Sequence, residues 1–68
     1  MEDFKIEGDY IELLALLKAL GIAETGGHAK HIVDAGEVIR NGVIERRRRA
    51  KMVPGDQVQV EDIKISLK

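Results

Sequence analysis

The apolar residues change their spacing once, near Gly36, and that change dictates the architecture. Before it, Leu13, Leu14, Leu16, Leu17 and Leu20, and then Ala29, Ile32 and Val33, recur at helical intervals. After it, apolar and polar residues alternate, with Val58 and Val60 in one run and Ile63, Ile65 and Leu67 in the next. A chain divided in this way has to lay its helices against a sheet. The pattern predicts an α+β domain in the order β-αα-ββββ, two helices packed on a small, curved, mostly antiparallel sheet. Sixty-eight residues suffice for a single domain over 1–68, with only about 60% of the unfolded surface buried. With no cysteine, no disulfide can staple it.

Local signals set the expected boundaries. Phe4-Lys5-Ile6-Glu7 alternates like a half-buried strand, ended by Gly8. Asp9, with Glu12 three residues later, reads as a capping box that starts a helix near Tyr10, and Gly21 stops it after Leu20. Its leucines make one broad apolar face, opposite Glu12, Ala15, Lys18 and Ala19, so this helix is expected at the centre of the core. Thr25 caps a second helix that Gly36 ends, with Ala29, Ile32 and Val33 turned inward. Asn41-Gly42, between Val38-Ile39-Arg40 and Val43-Ile44-Glu45, is the strongest two-residue hairpin signal, because both positions tolerate positive φ. Val53-Pro54-Gly55-Asp56 fits a type II turn.

The net charge of −1 conceals a strong polarity. Residues 28–51 hold seven Lys and Arg against three acids, whereas the rest of the chain holds four bases and nine acids. Arg46-Arg47-Arg48-Arg49-Ala50-Lys51 dominates the basic part, and Arg40 adds a charge from the preceding hairpin. Adjacent guanidiniums repel one another. A polyanion relieves that repulsion, and guanidinium forks match phosphate oxygens in pairs. Clustered positive charge of this kind points to nucleic acid.

Other chemistries fit poorly. The hydroxyl side chains are Tyr10, Thr25 and Ser66, no histidine is spaced as the base of a nucleophile, and so small a chain has little room for a dry pocket. An enzyme, and with it a small-molecule substrate, is not expected. His28 and His31 alone are a weak metal signal, so no metal or cofactor is expected. The longest apolar run, Leu13 to Leu17, is far short of the ~20 residues that span a bilayer. No basic amphipathic helix accompanies the arginines, and the acidic start is unlike a signal peptide, so the expectation is a cytoplasmic protein without a membrane partner. Aromatics are confined to Phe4 and Tyr10, which argues against rows of stacked bases.

Thr25-Gly26-Gly27 is open to two readings. Two glycines in a first helical turn cost roughly 1 kcal/mol each relative to alanine. Either bare N–H groups at the helix start admit a phosphate oxygen, or the helix start packs too tightly for side chains.

Thr25-Gly26-Gly27-His28-Ala29-Lys30, Gly36-Glu37-Val38, Asn41-Gly42, the basic run to Lys51 and Pro54-Gly55-Asp56-Gln57-Val58 together resemble the RNA-binding domain named after small-subunit ribosomal protein S-four, the αL motif. The likeness covers residues ~9–60. It implies a stand-alone bacterial type acting on structured RNA, such as ribosomal RNA or a ribosome-assembly intermediate. It also implies one RNA face made by Thr25, Gly26, Gly27, Lys30 and His31, then Arg40 and Asn41, then Arg46, Arg47, Arg48, Arg49 and Lys51. The chain departs from the ribosomal protein at Gly26 and Gly27, where that protein has arginines, and at Arg40, where an apolar residue is usual. The alternatives are a module whose basic hairpin meets an acidic partner protein, and a DNA binder that places its helix pair in the major groove. A monomer is expected, on the premise that no second apolar face remains once the first helix is buried.

Overall fold

A computed structural model describes residues 2–68. The order is β1 (Glu2–Phe4), β2 (Ile11–Glu12), α1 (Leu13–Ala19), α2 (Gly26–Asp34), β3 (Val38–Arg40), β4 (Val43–Ile44), β5 (Lys51–Met52), β6 (Gln57–Val60) and β7 (Ile63–Leu67). Five strands make the main sheet in the order β1-β7-β6-β3-β4, antiparallel except where β1 runs parallel to β7. This is the expected α+β arrangement, with one small addition, a ribbon in which β2 pairs antiparallel with β5.

Alternation places the core. Val38, Val58, Val60, Ile65 and Leu67 are buried from the sheet, and Leu13, Leu16, Leu17, Ala29, Ile32 and Val33 from the helices. Each of the Val, Leu and Ile side chains among these contributes about 1.5–3 kcal/mol on burial. Ile6, Ala23, Ala50 and Met52 close the edges of this one cluster.

The turn chemistry reads through directly. Thr25 Oγ1 accepts from the His28 N–H at 3.0 Å, which caps α2. Asn41 and Gly42 take φ of 51° and 85°, as a two-residue hairpin loop of this hand requires. Gly55 has φ 99°, and the Asp56 N–H donates to the Val53 carbonyl at 3.1 Å.

The first helix begins later than its sequence suggests. Tyr10 is not helical, and no side chain caps α1 at Glu12, so the Asp9–Glu12 capping box does not form. Ile11 and Glu12 instead extend to pair with Met52 and Lys51, and the Leu13 N–H donates to the Ala50 carbonyl at 2.9 Å. A side-chain cap contributes about 1 kcal/mol. The ribbon outweighs it by supplying that lost bond from tertiary structure while burying Met52 completely. The first strand is displaced as well, ending at Phe4 where the alternation suggests Glu7. Apolar surface also remains. Val43 is 69% exposed, and Ile44 and Val53 are exposed too, so the premise behind the expected monomer does not hold on this flank.

Candidate nucleic-acid interface

The basic run is a loop, bounded by β4 and β5 and pinned at both ends. The Glu45 N–H donates to the Val38 carbonyl at 2.9 Å. At the other end Ala50 is buried, and its N–H closes a turn on the Arg47 carbonyl at 3.2 Å. A small apolar residue between charges thus nails the loop to the core, while Arg46, Arg47, Arg48 and Arg49 remain exposed.

Two of these arginines reach the C-terminal end of α2. Arg48 forks onto Asp34, donating from Nε at 3.0 Å and from Nη2 at 2.5 Å. The Arg46 guanidinium covers Gly36, so that a methyl group there would lie 3.5 Å from Nη2. Cations are favoured at this helix end by the helix dipole. On the other flank of the loop Arg47, Arg49 and Lys51 border one open groove with Arg40 and Ala50. Arg46 and Arg48 thus lie toward α2, while Arg47, Arg49 and Lys51 line the groove with Arg40.

Beneath the loop lies a network of buried carboxylates. Arg40 faces inward from the end of β3, its side chain 19% exposed. It donates to Asp56 Oδ2 from Nε at 3.0 Å and from Nη2 at 2.7 Å, to Glu45 Oε1 from Nη1 at 3.3 Å, and to the Lys51 carbonyl at 2.8 Å. Asp56 also accepts from Asn41 Nδ2 at 3.0 Å and from the Val53 N–H at 2.9 Å. Burial pushes the Asp56 pKa up, but the bonds from Val53, Asn41 and Arg40 together hold it below the ordinary 3.8. Hydrogen bonds from the Arg47 side chain, opposed by burial and assisted by the Arg47 N–H and Arg40, pull Glu45 down to about 2. The Arg48 fork likewise lowers Asp34.

The structure sorts the expected site residues into groups. Arg46, Arg49 and Lys51 make no ion pair with any described residue, although the Lys51 ammonium lies 5.0 Å from the centre of the Tyr10 ring. Arg47 and Arg48 are exposed but paired with Glu45 and Asp34, so the protein's own acids already relieve part of the expected repulsion. Lys30 is exposed one helical turn before Asp34 and so shares the stripe of α2 that meets Arg48. Arg40 and Asn41 are engaged internally: Asn41 also accepts from the Gln57 N–H at 2.8 Å. His31 borders a separate groove with His28, Glu37 and Glu61. Thr25, Gly26 and Gly27 lie at the other end of α2, about 13 Å along its axis from Asp34. Nothing lies within 4 Å of a Cβ built at Gly26, and at Gly27 only the Thr25 hydroxyl does, at 3.9 Å, so tight packing does not explain these glycines.

Sequence reasoning missed Tyr10 as a surface residue beside the cations. The signal was its place before Ile11-Glu12, which becomes meaningful only once those residues pair with Lys51 and Met52. It also missed the acids at 34, 45 and 56 as partners of the arginines. Only the partners of Glu45 are near in sequence, Arg40 five residues before it and Arg47 two after.

The S4 domain model matches residues 4–68. "Putative RNA-binding protein YbcJ" of Escherichia coli (strain K12) is 41% identical over 49 residues, 72% of this chain and 70% of that protein. A YbcJ protein of Shigella flexneri, described as uncharacterized, matches to the same extent. The solution structure of YbcJ from E. coli, reported to reveal an αL motif involved in RNA-binding, superposes with a TM-score of 0.74 and 32% identity. That superposition covers 98% of this chain and 86% of that one. With the family model matching residues 4–68 and the fold superposing over 98% of the chain, the chain belongs to the S4 domain family.

Proposed function

We propose that this protein is a non-catalytic RNA-binding protein that docks the Arg46–Lys51 loop and the adjoining flank of α2 on a structured RNA. Its target would be ribosomal RNA or a ribosome-assembly intermediate in the cytoplasm, bound by a single copy of the chain. One observation supports this reading: a loop pinned by Ala50 and by an internal Arg40–Asp56–Glu45 network holds Arg46, Arg49 and Lys51 exposed, with no ion-pair partner among the described residues. The RNA-binding motif reported for the E. coli relative supports it.

In this reading Arg46, Arg49, Lys51 and Lys30 contact phosphates directly. Arg47 and Arg48 exchange Glu45 and Asp34 for phosphate oxygens, a swap between two acceptors of similar geometry. Arg40 and Asn41 position the loop from within. Thr25, Gly26 and Gly27 offer N–H groups at the far end of the same helix, and His31 sits at the margin. Recognition rests on the shape of an A-form helix and its 2′-hydroxyls, since the groups involved are mostly cationic heads.

The test is a competition. A labelled RNA hairpin bound to the protein should be displaced by unlabelled hairpin RNA and much less by duplex DNA of equal length. Equal displacement by DNA contradicts the reading. Exposed Val43 and Ile44 near the cations favour one rival, an acidic partner protein with an apolar anchor. Partners from a cell extract that survive RNase treatment would support that rival and count against RNA as the ligand.

A further inference from the structure

Both aromatic residues of the chain border one surface groove. Phe4, Lys5, Glu7, Tyr10 and Ile11 line it. Tyr10 is 45% exposed. Tyr10 immediately precedes β2, whose Ile11 and Glu12 pair with Met52 and Lys51. That ribbon ties the groove to the end of the basic loop, and Lys51 Nζ stands 5.0 Å from the centre of the Tyr10 ring.

We propose that this groove takes one unpaired nucleobase of the bound RNA. The inference rests on the RNA reading above and extends it from phosphates to a base. Charge and shape favour this occupant. A nucleobase has an apolar face that the aromatic rings and Ile11 can meet, and stacking on an aromatic side chain tolerates any base. Lys5 in the groove lining and Lys51 beside the Tyr10 ring supply positive charge for the phosphates that flank an extruded nucleotide. Glu7 disfavours a phosphate in the groove itself and accepts hydrogen bonds from an exocyclic amine, so adenine, cytosine and guanine are favoured over uracil. A fully paired duplex keeps its bases stacked and offers nothing to the groove.

The chain has one tyrosine and no tryptophan, so its intrinsic fluorescence reports on Tyr10 alone. The probes are an RNA hairpin with a single bulged adenosine and the same hairpin fully paired. Wild-type protein should bind the bulged RNA roughly 5- to 150-fold more tightly, the range that one stacked base supplies, and its emission should be quenched only by that RNA. Tyr10→Leu should lose the preference while keeping its affinity for the paired hairpin, and Tyr10→Phe should retain it. Equal affinity for the two RNAs with unchanged emission at saturation overturns the groove assignment and leaves phosphate docking intact. Failure to bind either RNA overturns both.

Discussion

Removing the Asp56 carboxylate should damage the fold far more than its place in a surface turn suggests. Four donor contacts converge on it, two from Arg40, one from Asn41 and one from the Val53 N–H. Its side chain is only 10% exposed. Truncating one member of a buried ion pair costs about 3–5 kcal/mol, because the other charge is stranded. Arg40 is not wholly stranded, since it keeps Glu45, the Lys51 carbonyl and 19% exposure, which places Asp56→Ala near about 2–3 kcal/mol. Against a total of roughly 3–10 kcal/mol for a chain of this size, that is a large fraction. At ~4–8 °C per kcal/mol the melting temperature should fall by about 10–20 °C, read by far-ultraviolet circular dichroism. Asp56→Asn keeps an acceptor and should lose less. A fall of under about 3 °C for Asp56→Ala would show that the network does not hold the loop, and the assignment of Arg40 as an internal strut would fail with it.

Arg40→Met separates the two roles of arginine: it should lower the melting temperature, whereas an arginine whose only role is to touch RNA would lower affinity alone. Asp34→Asn weakens the acceptor that competes for Arg48, so affinity for hairpin RNA should rise a few-fold in a filter-binding or anisotropy titration; a fall would mean that the Asp34–Arg48 fork organises the loop for binding. Because the folded pKa of Glu45 is depressed from the ordinary 4.5 to about 2, its stabilising contribution is full above about pH 4.5 and disappears as pH falls toward 2. Glu45→Gln should flatten that part of the acid denaturation curve, and an unchanged curve would contradict the pairing with Arg47 and Arg40.

Much of the fold was legible because the deciding chemistry is local. Thr25 caps a bond three residues away, and Asn41-Gly42 and Pro54-Gly55 carry their own backbone preferences. The start of α1 was not legible, because Asp9 and Glu12 satisfy a local rule that pairing with Lys51 and Met52 overrides from forty residues away. The same separation hid Arg40. Its alternation with Val38 implies an inward side chain, but its partner Asp56 is sixteen residues on, within a turn whose sequence explains itself without any arginine. The basic loop was legible as a cluster of charge. Which of its members are spoken for by Asp34 and Glu45 is a property of the folded chain, and it changes the experiment. Replacing all four arginines would strip two ion pairs from the protein, whereas Arg46→Ala with Arg49→Ala leaves every described ion pair standing.

That double variant supplies the most direct measurement. The affinity of a structured RNA hairpin should be followed from low to high salt for wild type and for Arg46→Ala/Arg49→Ala. With about six phosphate contacts the wild-type log–log slope should lie near −4 to −5, and losing two contacts should make it shallower by about 1.4–1.8 at an unchanged melting temperature. Parallel lines for the two proteins would mean that Arg46 and Arg49 do not meet the RNA backbone, and the interface would have to be sought on another side of the molecule.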